Sequence, residues 1–275
     1  MAAAVLSPVA RHQPIRRMAV TVDDLPVLAH GIIPEAEQAT LVRRIIKALK
    51  KYEIKAVGFV VGQSIRPANQ GLIAEFLQAG HEIGNHTDTH PDLNGLKAED
   101  FLLDVDAGAE KLAAFRVPVR YFRFPMLHQG ETREKRDAVE DGLRARNLTI
   151  APVTIDSDEA EFNIKYVRAF FNGRKEEAGA VGRDYVLHML RKIREYAGLA
   201  DRLLGRPARH ILLLHMNFVN SIVLDELLGK CAADGWSFTT LDEVLADPLY
   251  SMEDPYVGLK GLSLLDRLAA SREIK

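Results

Sequence analysis

The chain has 275 residues, of which 47% are hydrophobic and 27% are charged, a balance typical of a globular protein that buries a large core. With 36 basic and 38 acidic residues the net charge is -2, so no broad electrostatic field favours nucleic acid or an anionic membrane as a partner. The single cysteine, Cys231, excludes internal disulfides and a cysteine-rich metal site. No run approaches the roughly 18 consecutive apolar residues of a membrane span.

Apolar, β-rich runs alternate along the chain with segments whose apolar residues recur at helical spacing. We predict strands near residues 18–22, 56–61, 81–84, 121–123, 148–153, 210–215 and 236–239. Between and after them we predict helices near residues 35–51, 69–80, 97–115, 132–146, 164–171, 184–204 and 224–228. This alternation favours βα units and a parallel sheet. About seven strands fit an incomplete or distorted barrel better than a long open sheet.

We predict one catalytic domain over residues 1–275, with an N-terminal extension at 1–17 and a C-terminal extension at 247–275 that packs on the barrel. The glycine-rich, charged stretch 172–183 is predicted to be a mobile surface loop. The first residues lack a charged start followed by a long apolar segment, so they do not resemble a secretory signal. The chain as written therefore suggests a cytoplasmic protein, although an exported mature form is also compatible, and no feature specifies an oligomeric state.

Reactive side chains cluster where the predicted strands end. The paired acids Asp23 and Asp24 follow the first strand, His86 and His90 the third, Arg123 the fourth, residues 156–159 the fifth, and His215 ends a later one. Because the carboxyl ends of the strands of a parallel barrel meet on one rim, where its catalytic groups gather, these residues are expected to lie together. The coincidence of all these clusters on one predicted rim is stronger evidence for a functional site than any single cluster.

His86 and His90 are separated by four residues in the stretch GNHTDTH. On one helical turn they would lie about 6 Å apart, near enough to bind one ion. A bare pair of this kind is also common in a polar surface loop. Asp24 can supply a third, oxygen ligand, which would complete the facial arrangement with an open position seen at zinc and related ions.

The adjacent acids Asp23 and Asp24 have two interpretations. They can form a turn or a helix cap, where aspartate is favoured. Alternatively, because successive side chains near a strand end point to different sides, one can bind a metal while its neighbour faces the attacking water and accepts its proton.

Four stretches, TVDD at 21–24, HTDTH at 86–90, RFP at 123–125 and LLLH at 212–215, resemble successive motifs of the polysaccharide deacetylase family, also called carbohydrate esterase family four. They occur in the family's order and span residues 21–215. The resemblance implies a distorted (β/α)7 barrel and one divalent metal ion, usually Zn2+, with Co2+, Ni2+ or Mn2+ as alternatives. It also implies hydrolysis of N-acetyl or related non-peptide C–N amide bonds.

The resemblance also implies a role for each matching residue. Asp23 would be the general base, Arg123 would orient and ionise it, His215 would be the general acid, and Asp24, His86 and His90 would be the metal ligands. A backbone N–H near residues 124–126 would stabilise the oxyanion together with the metal, and Pro125 is a candidate for contact with the substrate. Since Asp23 must be ionised and His215 protonated, a bell-shaped pH dependence is expected.

Two motifs depart from the family pattern. The fourth motif usually ends in Asp-Trp, whereas residues 154–161 have the sequence TIDSDEAE, without an aromatic residue until Phe162. Asp156 matches the first acid, Glu159 is the best counterpart of the second, and Asp158 is its rival. Without the indole the site loses a surface for stacking a sugar ring, so amide hydrolysis is a firmer inference than a polysaccharide substrate.

After Pro125, the sequence Met-Leu-His-Gln replaces the family's aromatic residue and glycine. His128 in this stretch is a candidate for substrate contact or proton transfer, and an ordinary loop histidine is the alternative. Asp88 is interpreted as a spacer, or as a residue that supports the ligands, rather than as a ligand itself.

The leading hypothesis is a metal-dependent deacetylase acting on an N-acetylated sugar, oligosaccharide or cell-wall glycan. A second hypothesis is an amidohydrolase of a small cyclic ureide or imide, a class in which some members lose the metal ligands; the presence of Asp24, His86 and His90 favours a metal site. A third is a non-catalytic glycan-binding relative, against which the presence of Asp23 and His215 argues.

Overall fold

The computed structural model describes residues 16–28 and 33–272. Its strands are β1 (Arg16–Leu25), β2 (Val57–Val60), β3 (Glu82–Asn85), β4 (Tyr121–Phe122), β5 (Thr149–Ile150), β6 (Arg209–His215) and β7 (Trp236–Phe238). Its helices are α1 (Glu35–Lys51), α2 (Gln70–Gln78), α3 (Ala98–Leu112), α4 (Arg133–Ala145), α5 (Ala160–Phe171), α6 (Lys175–Leu204), α7 (Phe218–Ala233), α8 (Leu241–Leu245) and α9 (Leu264–Ser271).

All seven described strands belong to one parallel sheet. Six of them lie in the order β5-β4-β3-β2-β1-β6, and β7 is attached beside β1. β6 pairs with one edge of β1 from Arg17 to Asp23, and β7 pairs with the start of β1. The sheet closes through the chain that follows β5, because Ile155 forms a parallel bridge with Leu212 of β6. The prediction of a distorted parallel barrel is therefore confirmed.

The strands have apolar side chains on both faces because the sheet is covered on both sides. Inside the barrel, Ala19, Val57, Phe59 and Ile211 are among the members of one buried cluster. On the outside, Leu212 and Leu214 of β6 pack in a larger cluster together with apolar side chains of α1, α6 and α7. β6 thus alternates between the two layers, as a strand with a side-chain period of two must.

Three predicted boundaries change in the structure. β1 runs from Arg16 to Leu25, so Asp23 and Asp24 lie within the strand rather than after it. Arg16 and Arg17, placed in the N-terminal extension by the sequence analysis, are the first residues of β1, and the rest of that extension lies outside the described residues. The fifth strand is only Thr149–Ile150.

The prediction of a mobile loop at 172–183 is wrong for most of its length. α6 begins at Lys175, with Glu176 and Glu177 in its first turn, where acidic side chains interact favourably with the helix dipole. Ala178, Gly182 and Tyr185 lie on one face of α6 and are buried. Packing of this face compensates for the low helix propensity of glycine.

The C-terminal segment contributes to the packed structure. Leu264, Leu265 and Leu268 of α9 are buried in the larger apolar cluster, and the Leu264 N–H donates to the Val153 carbonyl at 2.7 Å. No helix within residues 16–28 and 33–272 is both long and apolar enough to cross a membrane.

One buried histidine predicts a pH-dependent stability. His210 in β6 is fully buried, and neither ring nitrogen has a hydrogen-bond partner among the described residues. Burial lowers the pKa of His210 to about 4 from an ordinary value of 6.5. Between these values the unfolded chain binds a proton that the folded chain does not, so stability that is present above pH 6.5 is lost as the pH falls.

We therefore expect His210→Leu to reduce the pH dependence of the free energy of unfolding between pH 6.5 and 4. The reduction should be about 1.4 kcal/mol per pH unit, the effect of one proton. Urea unfolding at several pH values measures it. If the free energy of unfolding depends on pH equally in the variant and the wild type, His210 is not the group responsible.

Candidate active site

The two adjacent acids at the end of β1 both face the site because the strand is irregular there. The register between β1 and β2 shifts between Val22 and Leu25, and Asp24 has a φ of 64°, a left-handed conformation that is uncommon outside glycine. As a result, the His86 Nε2 atom lies 3.8 Å from Asp23 Oδ2 and 3.7 Å from Asp24 Oδ1. A regular strand would have directed the two side chains to opposite faces.

Asp24, His86 and His90 form a compact cluster of potential metal ligands, whose ligand atoms all lie within 4.8 Å of one another. Asp24 Oδ1 is 3.6 Å from His90 Nε2. The helical turn expected for the two histidines is absent. They lie in the loop after β3, and Thr87 and His90 have positive φ values of 66° and 57°, so this turn of the loop, rather than helical periodicity, brings the imidazoles together.

The histidine loop is anchored by α3. The Asp104 carboxylate accepts hydrogen bonds from the backbone N–H groups of Asp88 and Thr89, each at 2.8 Å. Gly108 allows the close approach, because a Cβ there would lie 2.8 Å from the Thr87 carbonyl carbon. Asp88 itself forms an ion pair with Lys111 at 2.6 Å and is not a member of the ligand cluster.

Arg123 positions both Asp23 and His86. Its guanidinium is fully buried and donates to the two Asp23 carboxylate oxygens at 3.4 and 3.3 Å. Its own backbone carbonyl accepts from His86 Nδ1 at 2.8 Å. That hydrogen bond places the proton of the imidazole on Nδ1 and leaves the Nε2 lone pair directed toward Asp24.

Burial changes the pKa values of both Asp23 and His86. Burial raises the pKa of Asp23, and the nearby Arg123 charge opposes that increase. Burial lowers the pKa of His86 to about 3, so its imidazole is neutral near neutral pH, which is the form that binds metals.

His215 ends β6 directly beside Asp23, its register partner in β1. Its Nδ1 atom is 2.7 Å from Glu159 Oε1, and 27% of its side chain is exposed. Burial disfavours the charged imidazolium, but the hydrogen bond and charge of Glu159 outweigh that effect and raise the pKa of His215 to about 10.

Glu159, rather than its rival Asp158, contacts His215. The Glu159 carboxylate also accepts from Asn217 at 2.9 Å and from Asn220 at 3.0 Å, and it is hydrogen-bonded to the Tyr185 hydroxyl. Such donors stabilise the ionised form of a buried carboxylate. Asp158 is instead exposed and pairs with Lys192 at 2.6 Å.

The remaining candidates occupy two different places. Asp156 lines a cleft with His215 and Met126, and burial raises the pKa of its carboxyl. Pro125 begins the short 3-10 turn that contributes Met126 to the same cleft. His128 contacts Asp92 at 2.7 Å and Asn94 at 3.1 Å, so these contacts direct it to the loop after His90.

The loops of the site also contain unusual backbone conformations. Six of the nine non-glycine residues with positive φ among the described residues lie in these loops or at the end of β1: Asp24, Thr87, His90, Met126, Leu127 and Asp158. Each costs on the order of 1–3 kcal/mol and persists only where the surrounding structure enforces it. Their clustering is typical of a functional site.

Several supporting residues were missed by the sequence analysis, namely Asp104, Tyr185, Asn217 and Asn220. All four act through contacts between elements distant in sequence; Tyr185, for example, reaches Glu159 from 26 residues away on α6. Asn217 carried a weak local signal, since an asparagine two residues after a strand is a favoured helix N-cap, and its side chain does cap α7.

The donor set of the cluster fits a divalent metal ion of the zinc type. Two imidazoles and one carboxylate are ligands that Zn2+ and neighbouring transition metals accept. His86 is held with Nε2 available by the hydrogen bond from its other nitrogen, an arrangement common to metal-binding histidines.

Comparisons with known proteins agree with this architecture. The family model described as polysaccharide deacetylase matches residues 10–145. The chain is 24% identical over 235 residues to the peptidoglycan-N-acetylglucosamine deacetylase PgdA of Listeria monocytogenes. That match covers 85% of this chain and 40% of the Listeria protein, so this chain corresponds to less than half of that relative's length.

Two solved structures share the fold. The chitin deacetylase of Colletotrichum lindemuthianum superposes with a TM-score of 0.59 at 20% identity, over 84% of this chain and 88% of that one. A carbohydrate esterase family four pseudoenzyme from Bacillus anthracis has a TM-score of 0.58 at 19% identity, over 85% of this chain and 66% of that one. On the matching family model and the sequence relative, the chain belongs to the polysaccharide deacetylase family.

Proposed function

We propose that the protein is a metal-dependent hydrolase that removes the acetyl group from an N-acetylated amino sugar, in an oligosaccharide or a cell-wall glycan. The observation that carries the proposal is the convergence of three kinds of group at one rim of the barrel. Asp24, His86 and His90 form the ligand cluster, Asp23 and His215 lie beside it as register partners, and each of these two has its own buried charged partner.

Asp23 is suited to act as the general base. Its carboxylate lies beside the ligand cluster, 3.8 Å from His86 Nε2. The two hydrogen bonds from Arg123 hold its orientation and favour its ionised form. In this position it accepts a proton from the water that attacks the acetyl carbonyl.

His215 is suited to act as the general acid. The pKa of about 10 keeps it protonated at neutral pH, and Glu159 binds Nδ1, so the proton on Nε2 is free to be donated. Transfer of that proton to the departing amine nitrogen completes cleavage of the C–N bond. The backbone N–H groups of Phe124 and Met126 are candidates for binding the oxyanion.

A divalent ion, with Zn2+ as the first candidate, would be held by Asp24, His86 and His90. When bound it would supply Lewis acidity, which polarises a carbonyl oxygen and lowers the pKa of a water molecule. Asp23, which keeps its ion pair with Arg123 at 3.3 Å, remains outside this ligand set.

The two alternative functions have less support. A glycan-binding protein without catalysis is a serious alternative because one structural relative is described as a pseudoenzyme, but it does not require the ion pairs Asp23–Arg123 and His215–Glu159 beside the ligands. A cyclic ureide or imide hydrolase remains the second candidate reaction. Two relatives are named as deacetylases of peptidoglycan N-acetylglucosamine and of chitin, which favours an acetylated amino sugar.

The metal assignment predicts different behaviour for two nearby histidines. His86→Ala should lose the bound metal ion and with it acetate release from N-acetylglucosamine oligomers, because it removes one of three ligands. His128→Ala is the matched control, since its contacts run to Asp92 and Asn94. Metal analysis by mass spectrometry and an acetate assay measure both. Full activity of His86→Ala, or of the wild type under strong chelation, would contradict the proposal.

The assignment of the base predicts that catalysis and metal binding separate at two adjacent residues. Asp23→Asn should retain the metal and lose about 10²- to 10⁴-fold in kcat, the usual contribution of a positioned general base. Asp24→Asn should lose the metal itself. Equal metal loss in both variants would mean that Asp23 is a ligand rather than the base.

The pair of Glu159 and His215 predicts the alkaline side of the pH profile. Activity requires protonated His215, so it should fall as the pH rises through the pKa of about 10. Glu159→Gln removes the charge that raises this pKa, and the alkaline decrease should therefore move to lower pH. Asp158→Asn should leave it in place, since Asp158 pairs with Lys192. Coincident profiles of kcat/KM for wild type and Glu159→Gln would argue against this pairing.

A further inference from the structure

Residues 254–262, which we name the C-terminal strap, cross the rim on which the proposed active site lies. The strap contacts the loop after β3, since Asn94 Nδ2 donates to the Leu259 carbonyl at 3.0 Å. It next contacts the turn after β4, where Gly261 packs directly against the Met126 carbonyl oxygen. Just beyond it, Leu264 binds the segment after β5.

Two buried arginines, one on α4 and one on α9, bind the strap. Arg136 of α4 donates to the carbonyl oxygens of Asp254 and Tyr256 at 2.8 and 2.9 Å. Arg267 of α9 binds the Asp254 carboxylate at 2.5 Å and the Leu262 carbonyl at 2.8 Å. Both arginine side chains are at most 9% exposed, so both ends of the strap are anchored to the body of the protein.

The strap forms a wall of the cleft beside His215. Gly261 lines this cleft on one side, together with Met126, while Leu213 and His215 of β6 line another side. The cleft has a volume of about 200 Å³, below the roughly 300–1,000 Å³ of sites that enclose a drug-sized ligand. The cleft itself accommodates one sugar ring, and any further rings of a glycan would lie outside it.

The position of the strap limits how a substrate chain can continue beyond that ring. Gly261 leaves no space toward Met126, because even a Cβ at position 261 would overlap the Met126 carbonyl oxygen and lie 2.9 Å from the His128 ring. A glycan whose ring occupies the cleft is blocked on the strap side by packed backbone. Its remaining rings can extend only away from the strap.

We infer that the C-terminal strap makes the protein selective for the terminal N-acetylated ring of a glycan, or for a single such sugar, over interior rings. This inference rests on the proposed function and specifies its substrate class. Gly261 is the specificity-determining residue of the strap, because its lack of a side chain allows the wall to close on Met126.

The test locates the acetyl group removed first from an N-acetylglucosamine tetramer, labelled at one end and sequenced by tandem mass spectrometry. The wild type should release acetate from a terminal ring. In Gly261→Ala the added methyl group forces the strap away from Met126, so interior rings should also be deacetylated. The KM for the single sugar should rise, because Gly261 lines the cleft that would hold its ring.

Gly95→Ala is the matched control, because a Cβ there meets open space; it should behave as the wild type. Asn94→Ala removes the hydrogen bond to Leu259 and loosens the strap by a second route if Gly261→Ala does not fold. Hydrogen exchange of residues 256–262 verifies that each variant has displaced the strap.

Interior deacetylation by the wild type would overturn the inference, as would a purely terminal pattern in a variant whose strap is displaced. Either result would leave the deacetylase proposal intact. The absence of acetate release from every sugar would instead contradict the proposed function, and with it the substrate class inferred from it.

Discussion

The buried guanidinium of Arg123 is the constraint on which the rest of the site depends. It donates to Asp23 and to the Thr21 hydroxyl in β1 and to the Ala151 carbonyl after β5, and it lies 4.6 Å above the Phe59 ring of β2. Its own carbonyl orients His86. Removing either member of a buried ion pair typically costs about 3–5 kcal/mol. Loss of Arg123 would therefore disrupt both the carboxyl rim of the barrel and the position of the proposed base.

Around this residue the structure separates two carboxylates that are neighbours in sequence. The irregular end of β1 lets Asp23 and Asp24 approach the same imidazole, while only Asp23 contacts Arg123. Asp23 is thereby held by Arg123 within the barrel, and Asp24 belongs to the ligand cluster. In the second ion pair, His215 with Glu159, the buried carboxylate keeps a proton on the imidazole, whereas Arg123 favours loss of the proton from the Asp23 carboxyl.

The parallel barrel and the gathering of reactive residues at one rim could be predicted from the sequence, because alternation of strands and helices and reactive residues at strand ends are local patterns. The roles of those residues came from the family resemblance and stay predictions. Glu159 was also favoured over Asp158 from motif position alone. What local patterns could not provide were features set by packing. The loop conformation of His86 and His90 depends on positive φ values and on Asp104, and α6 begins early because its apolar face is buried. The strap contacts made by Asn94 and Arg136 join residues separated by more than 100 positions.

The most direct test of the central claim is X-ray absorption spectroscopy of the zinc-loaded protein and of its two aspartate variants. Coordination by two imidazoles and one carboxylate is expected in the wild type. The same spectrum is expected in Asp23→Asn, because Arg123 keeps Asp23 outside the ligand set. Asp24→Asn should lose zinc or change its coordination. A changed zinc environment in Asp23→Asn, with Asp24→Asn unaffected, would contradict the division of roles between the two acids.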